Sequence, residues 1–183
     1  EAIEAHAGEM EMKYDNSLVA AEAIMTTDTK VKTIAVEFDI DGTTCHIGGI
    51  CKGSGMIHPN MGTMLCFITT DCAVSSEMIR KALLFNVKRT FNRVTTNDMC
   101  TVLANGMAGN AEITAEGPAY EAFCEALQAV MQDLARKIAA DGEGASKLMT
   151  CTVKGAKDEE TAEVLAKSIA GSSLTKAAMF GSD

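Results

Sequence analysis

The stretch from residue 48 to residue 65 is the part of the sequence best equipped for chemistry. It reads GGICKGSGMIHPNMGTML and places Lys52, Pro59 and Thr63 among glycines, between two predicted strands. A simple turn does not need this much glycine. The segment lacks the GxxxxGK[ST] spacing of a phosphate-binding loop, since Lys52 precedes the GSG glycines and no helix is predicted directly after it. We therefore discount nucleotide binding here.

The three histidines do not form a recognisable catalytic set. His58 stands next to Pro59 and is more typical of a structural residue than of a general base. His6 and His46 have no evident cysteine or aspartate partner in the sequence. No Ser-His-Asp order appears either, so the sequence gives no sign of a histidine-based triad.

The cysteines favour a reduced, cytosolic protein. Their number is odd, their contexts are apolar and none forms a CxxC pair, which argues against a zinc site or a disulfide framework. We therefore expect buried free thiols, no metal and no cofactor. The residues are Cys45, Cys51, Cys66, Cys72, Cys100, Cys124 and Cys151.

Charge and hydropathy exclude other function classes. The formal net charge is −9 over 183 residues, and the 16 basic residues are scattered, so binding to nucleic acid is not expected. No apolar run approaches the roughly 20 residues of a membrane span, and the first residues do not resemble a signal peptide. We expect a cytoplasmic protein without membrane association.

The first half of the chain predicts a short helix followed by strands. Ser17 can cap an Ala-rich helix that ends near Thr26 and Thr27. Residues 33–40 alternate apolar and polar side chains, and the Asp-Gly pair that follows predicts a β-hairpin. Residues 64–69 are a short apolar run typical of a strand.

The second half is richer in predicted helices. Capping residues and periodicity indicate helices over 76–91, 118–140 and 158–170, and a further helix from Asp98 to about Gly106. Residues 148–153 alternate like a strand. Because strands and helices are mixed without a βαβ rhythm or an internal repeat, the predicted class is α+β, with mixed sheets packed against helices.

The segment KGSGMIHPNMGTML resembles the processing-site signature of the ornithine acetyltransferase family. That signature reads KGSGM, then PNM, then a small residue and a threonine. Seven further segments resemble family motifs in the family's order and together span nearly the whole chain. They are AIMTTDT at 23–29, FITTDC at 67–72, TFN at 90–92, TNDM at 96–99, LANG at 103–106, DGEGASK at 141–147 and SSLTKAAMFG at 172–181.

The resemblance implies that the chain cleaves itself between Gly62 and Thr63. An α chain would then end at residue 62 and a β chain would begin at residue 63, the two forming one catalytic domain with a sandwich fold like that of the DmpA aminopeptidase and the ornithine acetyltransferases. Gly62 has no Cβ and tolerates the strained backbone of an N-to-O acyl shift. The freed α-amine of Thr63, with an ordinary pKa near 8, would then serve as the base for its own hydroxyl.

The resemblance also implies a reaction and a set of ligands. The acetyl group of N2-acetylornithine would pass to Thr63 and then to glutamate, in arginine biosynthesis, with ping-pong kinetics and an α2β2 assembly of processed chains. Lys52 would pair with the substrate carboxylate, Glu143 with an ammonium group of ornithine, and Thr26 or Thr27 would also contact substrate. Family members differ in whether they also accept acetyl-CoA, and the sequence leaves this open.

Each implied binding residue has a simpler interpretation. Lys52 could be a solvated loop lysine, Glu143 could belong to the loop that closes the long helix, and Thr26 and Thr27 could merely end a helix. The sequence also departs from the family pattern. No STG motif, the family's oxyanion-hole segment, precedes KGSGM, and a VDGDTST-like stretch is shortened near Val94 and Thr96.

Family chains are about twice as long as this one, so the sequence suggests a fragment that lacks the N- and C-terminal portions. Two other functions stay open at this point. One is an N-terminal-nucleophile aminopeptidase or amidohydrolase of the DmpA type, which would release free acetate from an acetyl substrate. The other is an inactive fragment or assembly subunit.

Overall fold

The centre of the protein is a four-stranded mixed sheet, seen in a computed structural model that describes residues 16–54, 64–91, 98–142 and 144–181. The strands are β1 (Lys32–Ile40), β2 (Thr43–Lys52), β3 (Leu65–Thr70) and β4 (Met99–Ala104), adjacent in that order. The described helices are α1 (Asn16–Ala23), α2 (Ser76–Thr90), α3 (Pro118–Ala140), α4 (Glu159–Gly171) and α5 (Ser173–Gly181). The predicted α+β class is confirmed.

The hairpin predicted from the alternating pattern is present. β1 and β2 pair in antiparallel fashion from Lys32 opposite Cys51 to Ile40 opposite Thr43, which leaves Asp41 and Gly42 as a two-residue turn. β3 then pairs antiparallel with β2, and its first residue, Leu65, lies opposite Lys52. The end of β2 and the beginning of β3 are therefore neighbours in the sheet.

The segment that begins at Asp98 was predicted to be helical, and that prediction is wrong. Residues 99–104 form β4, which runs parallel to β3 with Leu65 opposite Met99. A six-residue apolar run does not distinguish a helix from a strand by periodicity, and the β-branched Thr101 and Val102 favour the strand. Pairing with β3 makes this segment a strand. Parallel strands need a crossover connection, and α2 lies in the connection between β3 and β4.

Helix α3 covers one face of the sheet. Its buried apolar side chains recur every three or four residues, which places them on one side of the helix, against β1 and β2. They include Phe123, Leu127, Val130, Leu134 and Ile138. Helix α2 packs beside α3. None of the helices that the structure describes is long and apolar enough to cross a bilayer.

Glycine in β2 lets α3 approach the sheet closely. A Cβ placed on Gly49 would lie 3.0 Å from Leu134 Cδ1 and 3.2 Å from both Val130 Cγ1 and Ile68 Cγ1. These separations are shorter than normal carbon contacts, so a methyl group at this position would force the side chains of Leu134, Val130 and Ile68 to shift. The core around it is filled by aliphatic residues and buried cysteines.

The thiols lie mostly in this core. The structure contains all seven cysteines as free thiols; Cys45, Cys51, Cys66 and Cys72 are buried, whereas the remaining three are only partly buried. Within the described ranges no group of three or more histidine, cysteine or acidic side chains is arranged to hold a metal ion.

The last described segment, residues 144–181, corrects a second prediction. Residues 148–153 alternate like a strand but form none, because no neighbouring strand in the described part of the chain pairs with them. The helix predicted at 158–170 is present as α4, and Asp158 caps it by accepting a hydrogen bond from the Thr161 amide at 2.7 Å. Helices α4 and α5 pack on each other and bury no residue fully.

We predict that Gly49→Ala lowers the free energy of unfolding by about 1–3 kcal/mol, because the added methyl overpacks the contact between β2 and α3. Urea denaturation followed by circular dichroism measures the change. Gly181→Ala is the matched control, since a Cβ at Gly181 meets no atom within 4 Å. Equal denaturation midpoints for the two variants would contradict the close-packing argument.

Candidate functional site

Lys52, the last residue of β2, is buried with only 7% of its surface exposed. Its Nζ donates a hydrogen bond to Thr26 Oγ1 at 3.1 Å. The simpler interpretation of Lys52 as a solvated loop lysine is therefore wrong. The structure joins the KGSGM and MTTDT motifs through a lysine and a threonine.

The second threonine of the MTTDT motif contacts the same segment at a different point. Thr27 Oγ1 lies 2.7 Å from Ser54 Oγ, and Ser54 is itself buried. Thr26 and Thr27 are both exposed at the surface of the loop that follows α1. The structure thus separates the two threonines by role: Thr26 contacts the lysine, and Thr27 contacts a serine.

Beneath this contact lies a buried ion cluster, defined here as Lys32, Asp28 and Asp141. Lys32 Nζ lies 2.6 Å from Asp28 Oδ1 and 2.5 Å from Asp141 Oδ2. The exposed fractions of the three side chains are 1%, 0% and 4%. One cation and two carboxylates sealed from water join the first residue of β1, the MTTDT loop and the residue after α3.

The two carboxylates also bind backbone amides of the motif segments. Asp28 Oδ1 accepts a hydrogen bond from the Gly53 amide at 2.7 Å, directly after Lys52. Gly53 has φ +149°, a conformation that other residues rarely adopt. Asp28 Oδ2 accepts from the Thr26 amide at 3.3 Å, and Asp141 accepts from the amide of Thr29 at 3.0 Å and from its hydroxyl.

The ionisation of the cluster follows from these bonds. Burial alone would raise the pKa of Asp141, but hydrogen bonds from Lys32 and Thr29 outweigh it and lower the pKa to about 2. Burial likewise opposes the charged form of Lys32, yet bonds to Asp141 and Asp28 raise the pKa of its ammonium group. The pKa of Asp28 is lowered, because bonds from Gly53, Lys32 and Thr26 exceed its cost of burial. All three groups are therefore charged at neutral pH.

Lys52 differs from Lys32 in its charge partners. Lys32 has two carboxylates in contact, whereas within the described ranges no carboxylate lies within ion-pair distance of Lys52. A buried ammonium group without a counter-ion is costly. Lys52 is thus a cation that an anionic ligand could pair with, and Lys32 is not.

The thiol next to Lys52 is not a competing nucleophile. Cys51 is 1% exposed, and burial raises its pKa to about 12. Because the thiolate is the reactive form, the Cys51 thiol is unreactive at neutral pH.

The start of β3 is fixed by the TNDM motif. Asp98 Oδ1 accepts a hydrogen bond from the Met64 amide at 2.9 Å, and the Met99 amide donates to the Met64 carbonyl at 2.9 Å. Met64 is the residue after Thr63 in the sequence. Asp98 of the TNDM motif therefore holds Met64, which is the first described residue after the predicted cleavage position.

The predicted site residues fall into two groups. Thr26, Thr27 and Lys52 are described, and the structure brings them together at one end of the sheet. Gly62, Thr63 and Glu143 lie outside the described residues, as do His6 and His58. The predicted boundary between residues 62 and 63 also lies outside them, although residues from both sides of it share one sheet.

Sequence reasoning missed the buried ion cluster. Asp28 lies inside the MTTDT motif, Asp141 opens DGEGASK and Asp98 lies inside TNDM, so these acids could have been chosen as motif members. Lys32 carries no such signal. It precedes an alternating strand and reads as an ordinary exposed lysine, and only its burial reveals its role.

His46 has a partner that the sequence did not indicate. Its Nδ1 lies 2.8 Å from Asp71 Oδ2, and its backbone amide donates to Asp71 Oδ1 at 2.6 Å. The two residues are 25 positions apart and meet because β2 and β3 pair beside them. The imidazole of His46 is 59% exposed. Burial would raise the pKa of Asp71, but the hydrogen bonds from His46 outweigh this effect and lower it.

The mixed sheet, its helical layer and the motif contacts define an α+β protein of a fold already seen in a crystal structure. That structure, of arginine biosynthesis bifunctional protein ArgJ from Bacillus halodurans, matches with a TM-score of 0.59 and 41% sequence identity, over 64% of this chain and 58% of that one. The ArgJ family model matches residues 1–183. The chain belongs to the ArgJ family, which confirms the family resemblance read from its motifs.

Curated relatives agree with this assignment. The arginine biosynthesis bifunctional protein ArgJ of Lactococcus lactis subsp. lactis is 51% identical over 169 residues, covering 89% of this chain and 43% of the relative. The protein of the same name from Geobacillus stearothermophilus is 51% identical over 167 residues, covering 88% and 41%. The chain thus spans less than half the length of these relatives.

We predict an acid-dependent loss of stability that arises from Asp141. Its pKa is 3.8 ordinarily and about 2 in the folded protein, so its charged form stabilises the fold above about pH 4, and this contribution disappears as the pH falls through 2. The contribution is about 2 kcal/mol, by linkage. Urea unfolding at pH 6 and pH 2 should show the difference between wild type and Asp141→Asn shrinking by about that amount.

Glu163→Gln provides the control for this measurement. Glu163 pairs with Lys167 on the surface of α4, with half of its side chain exposed, and such pairs contribute little to stability. Its difference from wild type should be small at both pH values, because water screens this exposed pair. A gap between wild type and Asp141→Asn that does not change with pH would refute the assignment.

Proposed function

We propose that the protein is an acetyltransferase of arginine biosynthesis that moves the acetyl group of N2-acetylornithine to glutamate through an acetyl-Thr63 intermediate. Membership of the ArgJ family and the names of its relatives support the pathway. The observation that carries the proposal is the buried ammonium group of Lys52, which contacts Thr26 and has no carboxylate partner among the described residues.

Lys52 is suited to the carboxylate of an N-acetyl amino acid. A charge-assisted hydrogen bond from a buried ammonium group is stronger than a neutral one, and the incoming carboxylate would relieve the cost of leaving the cation unpaired. Thr26 Oγ1 already accepts a bond from Lys52, so its hydroxyl proton is free to be donated to the same carboxylate. N2-acetylornithine and glutamate both carry an α-carboxylate, so one site serves both half-reactions.

Self-cleavage would prepare the nucleophile. Thr63 Oγ attacks the carbonyl carbon of Gly62, the hydroxyl proton passes to the Thr63 nitrogen as the peptide C–N bond breaks, and the acyl group moves from nitrogen to oxygen as an ester. Water then hydrolyses that ester, which leaves a carboxylate on Gly62 and restores the Thr63 hydroxyl. The α-amino group of Thr63 is released in the same process.

The described sheet gives a reason for the two pieces to stay together. Strand β2 lies before the cleavage position and β3 after it, and they pair from Ile47 opposite Thr70 to Lys52 opposite Leu65. Helix α3, from the second piece, packs on β1 and β2 of the first. Cutting one peptide bond between them leaves this ladder and this core contact in place, which supports α and β chains that form one domain. The assembly of two such units as α2β2 is proposed from the family resemblance alone.

Acetyl transfer would use the freed amine as its base. The α-amine takes the Thr63 hydroxyl proton while Oγ attacks the acetyl carbonyl, the acetyl C–N bond breaks, and the proton passes to the departing α-amine of ornithine. The α-amine of glutamate then attacks the acetyl ester, N-acetylglutamate leaves, and Oγ regains a proton. No metal or cofactor enters this sequence of steps.

Two further assignments belong to this proposal. Glu143 holds the side-chain ammonium of ornithine, since it is the second acidic residue of the DGEG segment and the first, Asp141, is already paired with Lys32. Connectivity likewise supports Thr63, which is two residues before Leu65, the partner of Lys52 in the sheet. Both positions are close in sequence to described residues at this end of the sheet, Glu143 to Asp141 and Thr63 to Leu65.

We expect intact-mass measurement of the full-length gene product to show two pieces divided between Gly62 and Thr63. Thr63→Ala removes the attacking hydroxyl and should leave a single unbroken chain. The control is Thr69→Ala, an exposed threonine of β3, which should process like the wild type. The two pieces should co-elute under native conditions and separate in denaturant. An unprocessed wild-type chain after prolonged incubation would refute the cleavage step.

Lys52→Met should lower kcat/KM for N2-acetylornithine about 100-fold, because the substrate carboxylate loses its charge-assisted partner. Formation of N-acetylglutamate on addition of glutamate measures the activity, and a mass increase of one acetyl group on Thr63 reports the intermediate. Lys154→Met, at an exposed lysine, is the control and should keep wild-type kinetics.

The same assay distinguishes transfer from hydrolysis. A transferase gives N-acetylglutamate in proportion to added glutamate, whereas a hydrolase of the DmpA type releases acetate whether or not glutamate is present. Release of acetate alone would overturn the proposed reaction, and normal kinetics in Lys52→Met would overturn the role of that lysine.

A further inference from the structure

The buried ion cluster of Lys32, Asp28 and Asp141 is an unusual way to join three segments. Desolvating ions is costly, and apolar residues of similar volume at such positions often preserve or increase stability. Apolar contacts, however, do not fix direction, whereas hydrogen-bonded charges do. Removing one partner destabilises the fold, but the choice of three ions over three apolar residues is therefore better explained by geometry than by a gain in stability.

The carboxylates of the cluster accept hydrogen bonds from backbone amides at or next to both members of the candidate binding pair, Lys52 and Thr26. Asp28 binds the amides of Thr26 and Gly53, which are the first threonine of one motif and the residue after Lys52 in the other. Asp141 binds Thr29 through both its amide and its hydroxyl. Lys32 links the two carboxylates, so a shift of either one is transmitted to the other.

The pair of Lys52 and Thr26 needs such support. Thr26 lies in an exposed loop, where water competes for its hydroxyl, and its 3.1 Å bond to Lys52 is the direct side-chain contact between the two. The long lysine side chain loses considerable rotamer freedom when it is held in one position. Buried charges directly beneath the loop and the strand end restrict both partners before any ligand arrives.

We propose that Lys32, Asp28 and Asp141 are positioning residues for substrate recognition: the cluster holds Lys52 and Thr26 in the arrangement that receives the α-carboxylate of an N-acetyl amino acid. The proposal rests on the proposed function and adds to it a set of residues that do not touch substrate. Asp141 is the most informative member, because the described bonds of its side chain are to Lys32, to Thr29 and to the Lys30 amide, so its effect on Lys52 and Thr26 is indirect.

The test is a double-mutant cycle in the full-length gene product. Asp141→Asn should raise KM for N2-acetylornithine about tenfold and leave kcat within about threefold, because substrate capture suffers and the nucleophile does not. In a Lys52→Met background the same change should raise KM by much less than tenfold, since the contact between Lys52 and Thr26 that the cluster supports is already lost. Glu116→Gln, an exposed partner of Lys81, is the control with an equal loss of charge.

A merely structural role predicts something different. It lowers the fraction of active enzyme, measured as acetylated Thr63 at saturating substrate, while KM stays unchanged, or it raises KM by the same factor in both backgrounds. Either result would overturn the proposal.

Amide hydrogen exchange supplies a readout that does not depend on activity. Asp141→Asn should speed exchange of the amides of Thr26, Thr29 and Gly53 at least tenfold, whereas Glu116→Gln should not. Unchanged exchange would sink the positioning role by itself. If the wild type formed no N-acetylglutamate while exchange rose as expected, the proposed function would fail and the coupling within the cluster would stand.

Discussion

The salt bridge of Lys32 with Asp28 and Asp141 is the interaction on which the arrangement of the candidate site depends. An ammonium group with 1% exposure requires counter-charges, and the two carboxylates come from the MTTDT loop and from the residue after α3. The carboxylate oxygens of Asp28 and Asp141 also accept hydrogen bonds from the amides of Thr26, Thr29 and Gly53. One buried charge thus brings together segments more than 100 residues apart in the sequence.

The cluster can occupy that position because α3 lies very close to the sheet. Gly49 leaves room for Leu134 and Val130, and buried cysteines of β2 and β3 add small apolar volumes to the same core. The helix therefore ends beside the first residue of β1, where Asp141 meets Lys32. A bulkier core would lift the helix and separate these two charges, so the packing of the sheet and the electrostatics of the site are connected.

Two buried lysines at the same end of the sheet differ in their partners. Lys32 is paired with two carboxylates, whereas Lys52 contacts a hydroxyl among its described partners, and on this contrast we base the proposal that Lys52 binds an anion. This difference gives the proposed acetyl transfer its physical basis, since the donor and the acceptor both carry a carboxylate. The nucleophile assigned to Thr63 follows Lys52 in the same motif, and the described residues on either side of that motif are adjacent strands.

Sequence by itself determined the family, the α+β class and most of the elements. Local patterns were sufficient where the signal is local: the Asp-Gly hairpin, the periodic face of α3 and the Asp158 cap of α4 were all predicted correctly. The motifs also singled out Thr26, Thr27 and Lys52, which the structure brings together.

Tertiary structure decided the features that depend on partners distant in the sequence. Residues 99–104 became a strand because β3 offers a parallel edge, residues 148–153 did not become one without such an edge, and His46 found Asp71. Above all, the burial of Lys32 follows from the packing of α3 on the sheet, since a lysine before an alternating strand looks exposed until the helix end covers it.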